Sequence, residues 1–213
     1  MTFQLNVHIL GYSDIIPNVR RSMNIVAIIG SPRKTGVTST VVSEILSGAK
    51  GNDHHCETIY ISDLTIKDCR GCMTCQEKGR CVIRDDIEKV QQAIMKSDVI
   101  IWASPTHWAN VSAMMLRLFE RLFGFLIREK VRGFPIALNA NGKKAILVTA
   151  CSTIWPMNWL FNQSRACFSR MREMCRYSGQ KIIATLVVSG TITKKQVPQK
   201  YLKKARTIGH NIK

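Results

Sequence analysis

Four cysteines within thirteen residues carry the clearest chemical signal in this sequence. Cys69, Cys72, Cys75 and Cys81 have the spacing C-x2-C-x2-C-x5-C, and Gly79 permits a tight reversal of the chain before the last of them. Thiolates so spaced are typical ligands of an iron–sulfur cluster, whereas zinc sites usually pair two C-x2-C units across a longer stretch. The spacing favours a [4Fe–4S] cluster over zinc, and a metal-free set of structural or redox-active thiols is the third interpretation.

A second segment has the composition of a phosphate-binding loop. Residues 31–39, SPRKTGVTS, combine small hydroxyl side chains with Gly36 and the cations Arg33 and Lys34, directly before a helical pattern. Free N–H groups and the dipole at a helix N-terminus favour a phosphate. Neither the Gly-Lys-Ser/Thr order of a Walker loop nor the G-x-G-x-x-G of dinucleotide sites is present. The phosphate of a small ligand fits best, and an ordinary polar loop with a helix cap is the alternative.

Apolar runs alternate with amphipathic stretches and predict the elements that must position these loops. Continuous β-branched runs indicate buried strands, and apolar residues at a spacing of three and four indicate helices. Asp85 and Glu88 fit a capping box at one helix start, and Trp102 is expected in the core. Five strands alternating with helices predict an α/β fold, a doubly wound five-stranded parallel sheet in a three-layer sandwich. The predicted strands are 24–30, 57–61, 98–103, 145–149 and 181–188, and the predicted helices are 38–49, one from 85, 111–126, 158–177 and one from 198.

The order of elements also sets the domain boundaries and the place of the site. Residues 1–22 stand outside the pattern and are assigned to an N-terminal extension, and residues 23–213 form one domain that includes the cysteine loop at 69–81. Loops that follow parallel strands collect at the carboxyl edge of the sheet. We therefore expect one site to be formed by loops 31–37, 62–84, 104–110 and 150–157.

Charge and cysteine usage limit the compartment and the partners. The chain has a formal net charge of +17, and residues 130–213 contain Glu173 as their single acidic group. Such a field attracts anions, among them an acidic redox protein, a phosphorylated cofactor or a nucleic acid, although no recognition motif for nucleic acid accompanies it. Arg20 and Arg21 follow the first apolar stretch instead of preceding it, and residues 145–164 are too polar for a membrane span. We expect a cytoplasmic protein that does not enter the membrane, with reduced thiols.

Three segments together resemble a known family. These are GSPRKTGVT at 30–38, the four cysteines followed by Asp85-Asp86, and Ser104-Pro-Thr-His107 before a long helix. They resemble the NADPH-dependent FMN reductase family, and more closely its iron–sulfur flavoprotein branch, over residues 23–188. The resemblance implies a flavodoxin-like fold with FMN at the carboxyl edge, and a homodimer or homotetramer in which a neighbouring subunit covers the flavin.

The resemblance also implies roles for individual residues, and no side chain is assigned as catalytic. Val37 stands where the family usually has Asn, and His107 stands where an aromatic residue is usual. Arg117 and the pair Glu120-Arg121 replace the family's helix signature conservatively. On this resemblance the FMN phosphate is surrounded by Ser31, Arg33, Lys34, Gly36, Thr38 and Ser39, the isoalloxazine is lined by Pro105, Thr106, His107, Trp108, Ala150 and Cys151, and the cluster is held by Cys69, Cys72, Cys75 and Cys81.

The function expected from these features is electron transfer. An FMN-dependent oxidoreductase of this kind passes electrons between a one-electron carrier such as ferredoxin and a two-electron acceptor. The alternative is an NAD(P)H-dependent FMN or quinone reductase whose cysteines bind no iron. A zinc-loop module that binds nucleic acid through its basic face is the minor alternative.

Overall fold

A parallel five-stranded sheet forms the centre of the molecule. The computed structural model describes residues 21–130, 132–192 and 196–213. Most of the predicted extension, residues 1–20, lies outside the described residues. The strands are β1 (Asn24–Ile29), β2 (His55–Tyr60), β3 (Val99–Pro105), β4 (Ile127–Arg128), β5 (Ile136–Ala137), β6 (Lys144–Ala150) and β7 (Lys181–Val188).

The sheet has the strand order β2-β1-β3-β6-β7, and its neighbouring strands are all parallel. The chain runs from β1 outward to β2 on one side and then crosses to β3 on the other, so the order reverses between β1 and β3. This is the topology of flavodoxin-like folds, in which ligands bind outside the carboxyl ends of the strands at that reversal. The predicted fold class is confirmed.

Helices cover both faces of the sheet. They are α1 (Val37–Lys50), α2 (Thr74–Lys78), α3 (Ile87–Lys96), α4 (Ala113–Leu126), α5 (Met157–Leu160), α6 (Gln163–Tyr177) and α7 (Gln199–His210), with a 3₁₀ turn at Ile61–Asp63. One core contains the apolar sides of α3, α4 and α6, and the other contains those of α1 and α7. Trp102 is fully buried in the first of these cores, as expected.

The helices α1 and α7 approach each other backbone to backbone. A Cβ atom on Gly48 would collide with the carbonyl oxygen of Arg206, and one on Gly209 would collide with that of Ile45. These two glycines are needed for the contact because no side chain fits between the two helix backbones there. The close crossing fixes the last helix against the first.

Two local predictions were wrong. The helix predicted over 158–177 is divided into α5 and α6, because Asn162 adopts a left-handed conformation with φ 56°. The capping box is also incomplete: Asp85 Oδ1 accepts from the Ile87 N–H at 3.1 Å, but the Glu88 carboxylate pairs with Arg84 at 2.5 Å. The exposed guanidinium of Arg84 is a stronger partner for Glu88 than a backbone N–H.

No helix among the described residues combines the length and the apolar character needed to cross a bilayer. The short helix α2 and the antiparallel pair β4–β5 were not predicted. Both are too short to show a periodic pattern in sequence.

Candidate functional site

The loop between β1 and α1 is shaped as an anion site. Gly36 is the N-cap of α1, and among the described residues no side chain caps that helix end. The Gly36 N–H donates to the Arg33 carbonyl at 3.0 Å, and the Ser39 hydroxyl donates to the same oxygen at 2.9 Å. Ser31 in the loop and Thr38 and Ser39 in the first turn of α1 are buried, whereas Arg33 is exposed. The first turn of α1 is therefore left to an incoming anion, and the helix dipole favours one.

Lys34 is tied to the end of β2. Its ammonium forms an ion pair with Asp63 at 2.8 Å and lies 5.4 Å from the centre of the Tyr60 ring. The hydrogen bond with Asp63 raises the pKa of Lys34. Of the two predicted phosphate-loop cations, Lys34 is thus already paired.

The chain after β3 makes a tight turn at the same edge. His107 and Asn110 exchange two backbone hydrogen bonds of 2.9 Å, and between them Trp108 and Ala109 have φ values of 50° and 57°. Positive φ at both central positions is the conformation of a type I′ turn. The turn holds the Trp108 side chain fully exposed at 101%. Of the residues predicted to line the isoalloxazine, Trp108 extends farthest into solvent.

Hydrogen bonds join the loops after β3 and β6. The Thr106 N–H donates to the Ala150 carbonyl at 2.8 Å, and the Thr106 and Thr149 hydroxyls lie 2.9 Å apart. Cys151 is buried, and its thiol donates to Gln163 Oε1 at 3.4 Å, toward α6. Thr106, Ala150 and Cys151 are therefore brought together as predicted, and the thiol of Cys151 faces the protein.

The four clustered cysteines line one small cavity of about 40 Å³. Cys69 and Cys72 are exposed, and Cys75 and Cys81 are half-buried. The wall opposite the loop is α4, through Glu120, Arg121 and Phe123. Gly79 has φ 68° and ends α2, which confirms the reversal predicted there. The four cysteines of the motif therefore line one cavity.

The thiols of this loop differ in acidity. Burial raises the pKa of Cys75, and the Cys81 and Cys69 sulfurs add to that rise while the Gly124 backbone opposes it. Hydrogen bonding by Thr74 lowers the pKa of Cys72. Within residues 21–130, 132–192 and 196–213, no three His, Cys, Asp or Glu side chains lie close enough together to bind a single metal ion.

Helix α4 contacts the cysteine loop at Gly124. A Cβ built on Gly124 would lie 2.5 Å from Cβ and 2.6 Å from Sγ of Cys75. The absence of a side chain at this position lets Cys75 pack directly on the helix backbone. A glycine inside a helix lowers its stability by about 1 kcal/mol relative to alanine, so the close approach has an energetic cost.

A buried ion pair lies beneath the cysteine loop and was missed in the sequence. Arg121 and Asp85 pair through two contacts of 2.7 and 3.1 Å, with side chains 0% and 3% exposed. The guanidinium also donates to the carbonyls of Lys67 at 2.6 Å and Ile83 at 3.3 Å. The sequence signal that could have revealed the pair is an arginine between Leu118 and Leu122 on the apolar face of a predicted helix, where a buried charge needs a partner.

The pair is held in its charged form. Burial opposes the charge on Arg121, but the hydrogen bond and charge of Asp85, together with Cys81, outweigh it and raise the pKa of Arg121. Burial likewise opposes the Asp85 carboxylate, and hydrogen bonds from Arg121 and the N–H groups of Lys67 and Ile87 lower its pKa. Arg121 Nε is buried without a hydrogen-bond acceptor among the described residues.

The residue types at this cavity are those that bind an iron–sulfur cluster, although no three of the described side chains are placed to hold a single ion. Four thiols share one cavity, and a buried N–H donor with no protein acceptor belongs to a residue that lines it. Thiolate and sulfide are the ligands of such clusters, and N–H donors to the sulfurs are among the groups that tune them.

An exposed apolar segment and a cationic helix face follow β6. The four arginines of α6, Arg165, Arg170, Arg172 and Arg176, are exposed, and the Arg165 guanidinium lies 4.8 Å from the centre of the Trp159 ring. Arg170 pairs with Glu173 at 3.1 Å. The exposed apolar residues of the preceding segment are Ile154, Trp155, Met157, Trp159, Leu160 and Phe161.

Comparisons with known proteins agree with this architecture. The family model of the NADPH-dependent FMN reductases matches residues 23–184. An iron-sulfur flavoprotein of Archaeoglobus fulgidus is 36% identical over 111 residues, which are 52% of this chain and 50% of the relative. One of Methanocaldococcus jannaschii is 35% identical over 123 residues, which are 56% of this chain and 63% of the relative. The chain thus aligns with between half and two thirds of the length of these relatives.

Solved structures share the fold at low sequence identity. An NAD(P)H:quinone oxidoreductase from Methanothermobacter marburgensis has a TM-score of 0.77 at 16% identity and covers 90% of this chain and 99% of its own. An FMN-dependent NADH-azoreductase from Bacillus anthracis, solved in complex with FMN, has a TM-score of 0.65 at 13% identity and covers 88% of this chain and 96% of its own.

Proposed function

This chain belongs to the NADPH-dependent FMN reductase family, and from that membership we propose that it is an FMN-dependent oxidoreductase that also carries a [4Fe–4S] cluster. The observation that carries the proposal is the convergence of Cys69, Cys72, Cys75 and Cys81 on one cavity. Their loop follows β2 and so leaves the sheet at the same edge as the open N-terminus of α1. The curated relatives described as iron-sulfur flavoproteins support this proposal.

The flavin would bind where the strand order reverses, between β1 and β3. Its phosphate would accept from the first turn of α1 and from the hydroxyls of the loop before it. The turn after β3 and the loop after β6 would flank the isoalloxazine. The residues proposed for these contacts are Ser31, Arg33, Lys34, Gly36, Thr38 and Ser39 for the phosphate, and Pro105, Thr106, His107, Trp108, Ala150 and Cys151 for the ring.

The protein's part in this chemistry is to bind and orient. Flavin exchanges one or two electrons and the cluster exchanges one, so together they connect a one-electron carrier with a two-electron acceptor. The exposed arginines of α6 suit an acidic carrier such as ferredoxin, because a cationic patch steers an acidic partner. The exposed apolar segment after β6 supports a homodimer or homotetramer that covers this edge.

A second candidate function is an NAD(P)H-dependent FMN or quinone reductase that uses the flavin alone. The family description favours a nicotinamide donor. A hydride donor must stack on an open flavin face. Stoichiometric bleaching of the bound flavin by NADPH, without oxygen and without iron in the protein, would support this candidate over the first.

The deciding experiment is the content of iron, acid-labile sulfide and FMN in protein purified without oxygen. About four irons and four sulfides per flavin are expected. Cys75→Ser should lose the iron and keep the flavin, whereas Cys56→Ser, a half-buried cysteine outside the loop, should keep both. Zinc without flavin would contradict the proposal and favour the nucleic-acid module.

The phosphate site is tested by two matched threonines. Thr38→Val removes a buried hydroxyl of the proposed site, and Thr40→Val removes one that already bonds the Gly36 carbonyl at 3.1 Å. A hydrogen bond to a charged group contributes about 1.5–3 kcal/mol, so FMN affinity should fall at least tenfold for Thr38→Val. The affinity of Thr40→Val should stay near that of the parent. Equal affinities in both variants would place the phosphate elsewhere.

A further inference from the structure

One wall of the four-cysteine cavity contains a buried arginine that is not a proposed ligand of the cluster. Arg121 lies on α4, lines the cavity and is fully buried. Its Nη1 and Nη2 atoms have acceptors in Asp85 and in two loop carbonyls. The remaining nitrogen, Nε, has none among the described residues. A buried N–H without an acceptor is costly, and the group beside this guanidinium that could accept is the sulfur of Cys81, a proposed cluster ligand.

We propose that Arg121 is a positioning and tuning residue for the cluster: its guanidinium fixes both ends of the cysteine loop, and its Nε–H donates to a sulfur of the cluster and makes the cluster easier to reduce. The inference rests on the proposed function, because it needs the cluster. It concerns a residue outside the ligand set. The fold alone does not require the pair, since apolar residues of similar volume often replace a buried ion pair without loss of stability.

The contacts of Arg121 show how it holds the loop. The loop starts after Lys67 and ends before Asp85, and the guanidinium bonds the Lys67 carbonyl at one end and both the Ile83 carbonyl and Asp85 at the other. The Asp85 carboxylate in turn accepts from the Lys67 N–H at 2.9 Å. The two ends of the cysteine loop are therefore joined through one side chain of α4.

The charges around the cavity leave a hydrogen bond from Arg121 as the interaction that would change the reduction potential of the cluster. Because Asp85 neutralises Arg121 at 2.7 Å, the pair has little net charge to offer the cavity. Arg70, Lys78, Arg80 and Arg84 are exposed around the loop, where solvent screens them. The Cys81 sulfur, a proposed ligand of the cluster, lies beside the guanidinium. A hydrogen bond to a cluster sulfur stabilises the more negative, reduced cluster and so raises its reduction potential.

The test is a redox titration of the holoprotein followed by EPR, with the flavin potentials measured in the same samples. R121K keeps the charge beside Asp85 and removes Nε. D85N/R121M removes both charges together, which keeps the test open if a single change leaves an unpaired buried charge and the chain does not fold. R70M removes an exposed cation that lines the same cavity and is the matched control.

We expect R121K and D85N/R121M to lower the equilibrium constant for reduction of the cluster at least tenfold. This corresponds to a decrease of about 59 mV in the one-electron reduction potential of the cluster. The flavin potentials should stay unchanged, and R70M should shift the cluster by less than twofold. In the parent, Fe–S stretching bands in resonance Raman spectra should move on transfer to D2O, and the Arg121 variants should lose most of that shift.

Two results would overturn the inference, and they are distinguishable. If the parent contains about four irons and four sulfides per flavin and both Arg121 variants keep its cluster potential within twofold, Arg121 does not tune the cluster although the proposed function stands. The same conclusion holds if the variants bind less iron. A merely structural role lowers the fraction of protein that holds a cluster without changing the reduction potential of the clusters that remain. If the parent contains flavin and no iron, the proposed cluster fails and the inference fails with it.

Discussion

Replacement of Gly124 by alanine should separate the stability of the domain from the integrity of the cysteine loop. The new Cβ would lie 2.5 Å from Cys75 Cβ, whereas ordinary contacts begin at 3.4 Å, so one side must yield by about 0.9 Å. Helix α4 is packed into the core through Leu118 and Leu122, and the cysteine loop is largely exposed. The loop is therefore the side that moves.

The size of that movement decides the outcome. A bound group needs its ligands held within about 0.5 Å of their working positions, and 0.9 Å exceeds this tolerance. Alanine in place of glycine stabilises a helix by about 1 kcal/mol, and overpacking costs about 1–3 kcal/mol where nothing can relax. Because the loop relaxes, we expect the free energy of unfolding to change by less than about 1 kcal/mol. Iron content should fall below half of the parent's.

The assay combines denaturant unfolding with iron, sulfide and flavin analysis on the same preparation. The same substitution in a Cys75→Gly background provides the control, because it removes the two contacts with the Cys75 side chain and leaves the 3.0 Å contact with the backbone carbon of residue 75. There G124A should be neutral or stabilising by up to about 1 kcal/mol. A G124A protein with full iron content would refute the reasoning, and so would a loss of stability of several kcal/mol with the cluster intact.

Three further predictions test the packing and the thiols. Trp102→Phe should lower the free energy of unfolding by about 2–3 kcal/mol in denaturant titrations, because it leaves a cavity and removes the 2.9 Å hydrogen bond from the indole to Gln180; a change below about 0.5 kcal/mol would contradict this packing. Gly209→Ala should force α7 away from the α1 backbone and destabilise the chain by about 1–3 kcal/mol, whereas an unchanged melting temperature would mean that the helices are not in backbone contact. In metal-free protein at pH 8, alkylation followed by mass spectrometry should label Cys72, whose pKa is lowered, well before Cys175, whose pKa burial raises to about 12. Raising the pH to 10 should leave Cys175 protected, and equal labelling rates would contradict the burial of its thiol.

The sequence was sufficient to predict a five-stranded parallel sheet because each strand is a contiguous signal. Apart from Asn24 and Asp98 at their starts, the runs at 24–30 and 98–103 are apolar, as strands buried on both faces must be, and the structure buries them. The convergence of the cysteines also followed from their spacing. These features depend on residues close together in sequence or on a topological rule.

What the sequence did not reveal depends on partners far apart in the chain. Asp85 has a sufficient local explanation as a helix cap, and nothing near it indicates that its main partner is Arg121, 36 residues away. The contact between Gly124 and Cys75 could not be predicted either, because the sequence around a glycine in a helix does not indicate which residue packs against it. The break at Asn162 depends on one backbone conformation, which helical periodicity does not encode.

The tryptophans divide between two environments, and this has an optical consequence. Trp102 is enclosed in the core and hydrogen-bonded, whereas Trp108 and Trp155 in loops and Trp159 in α5 are exposed at the carboxyl edge. These are the four tryptophans of the chain. Emission from the enclosed indole is expected to change when the sheet unfolds, and emission from the other three is expected to change when a ligand binds at the carboxyl edge. One fluorescence spectrum therefore follows unfolding and occupancy of the edge as separate signals, without any attached dye.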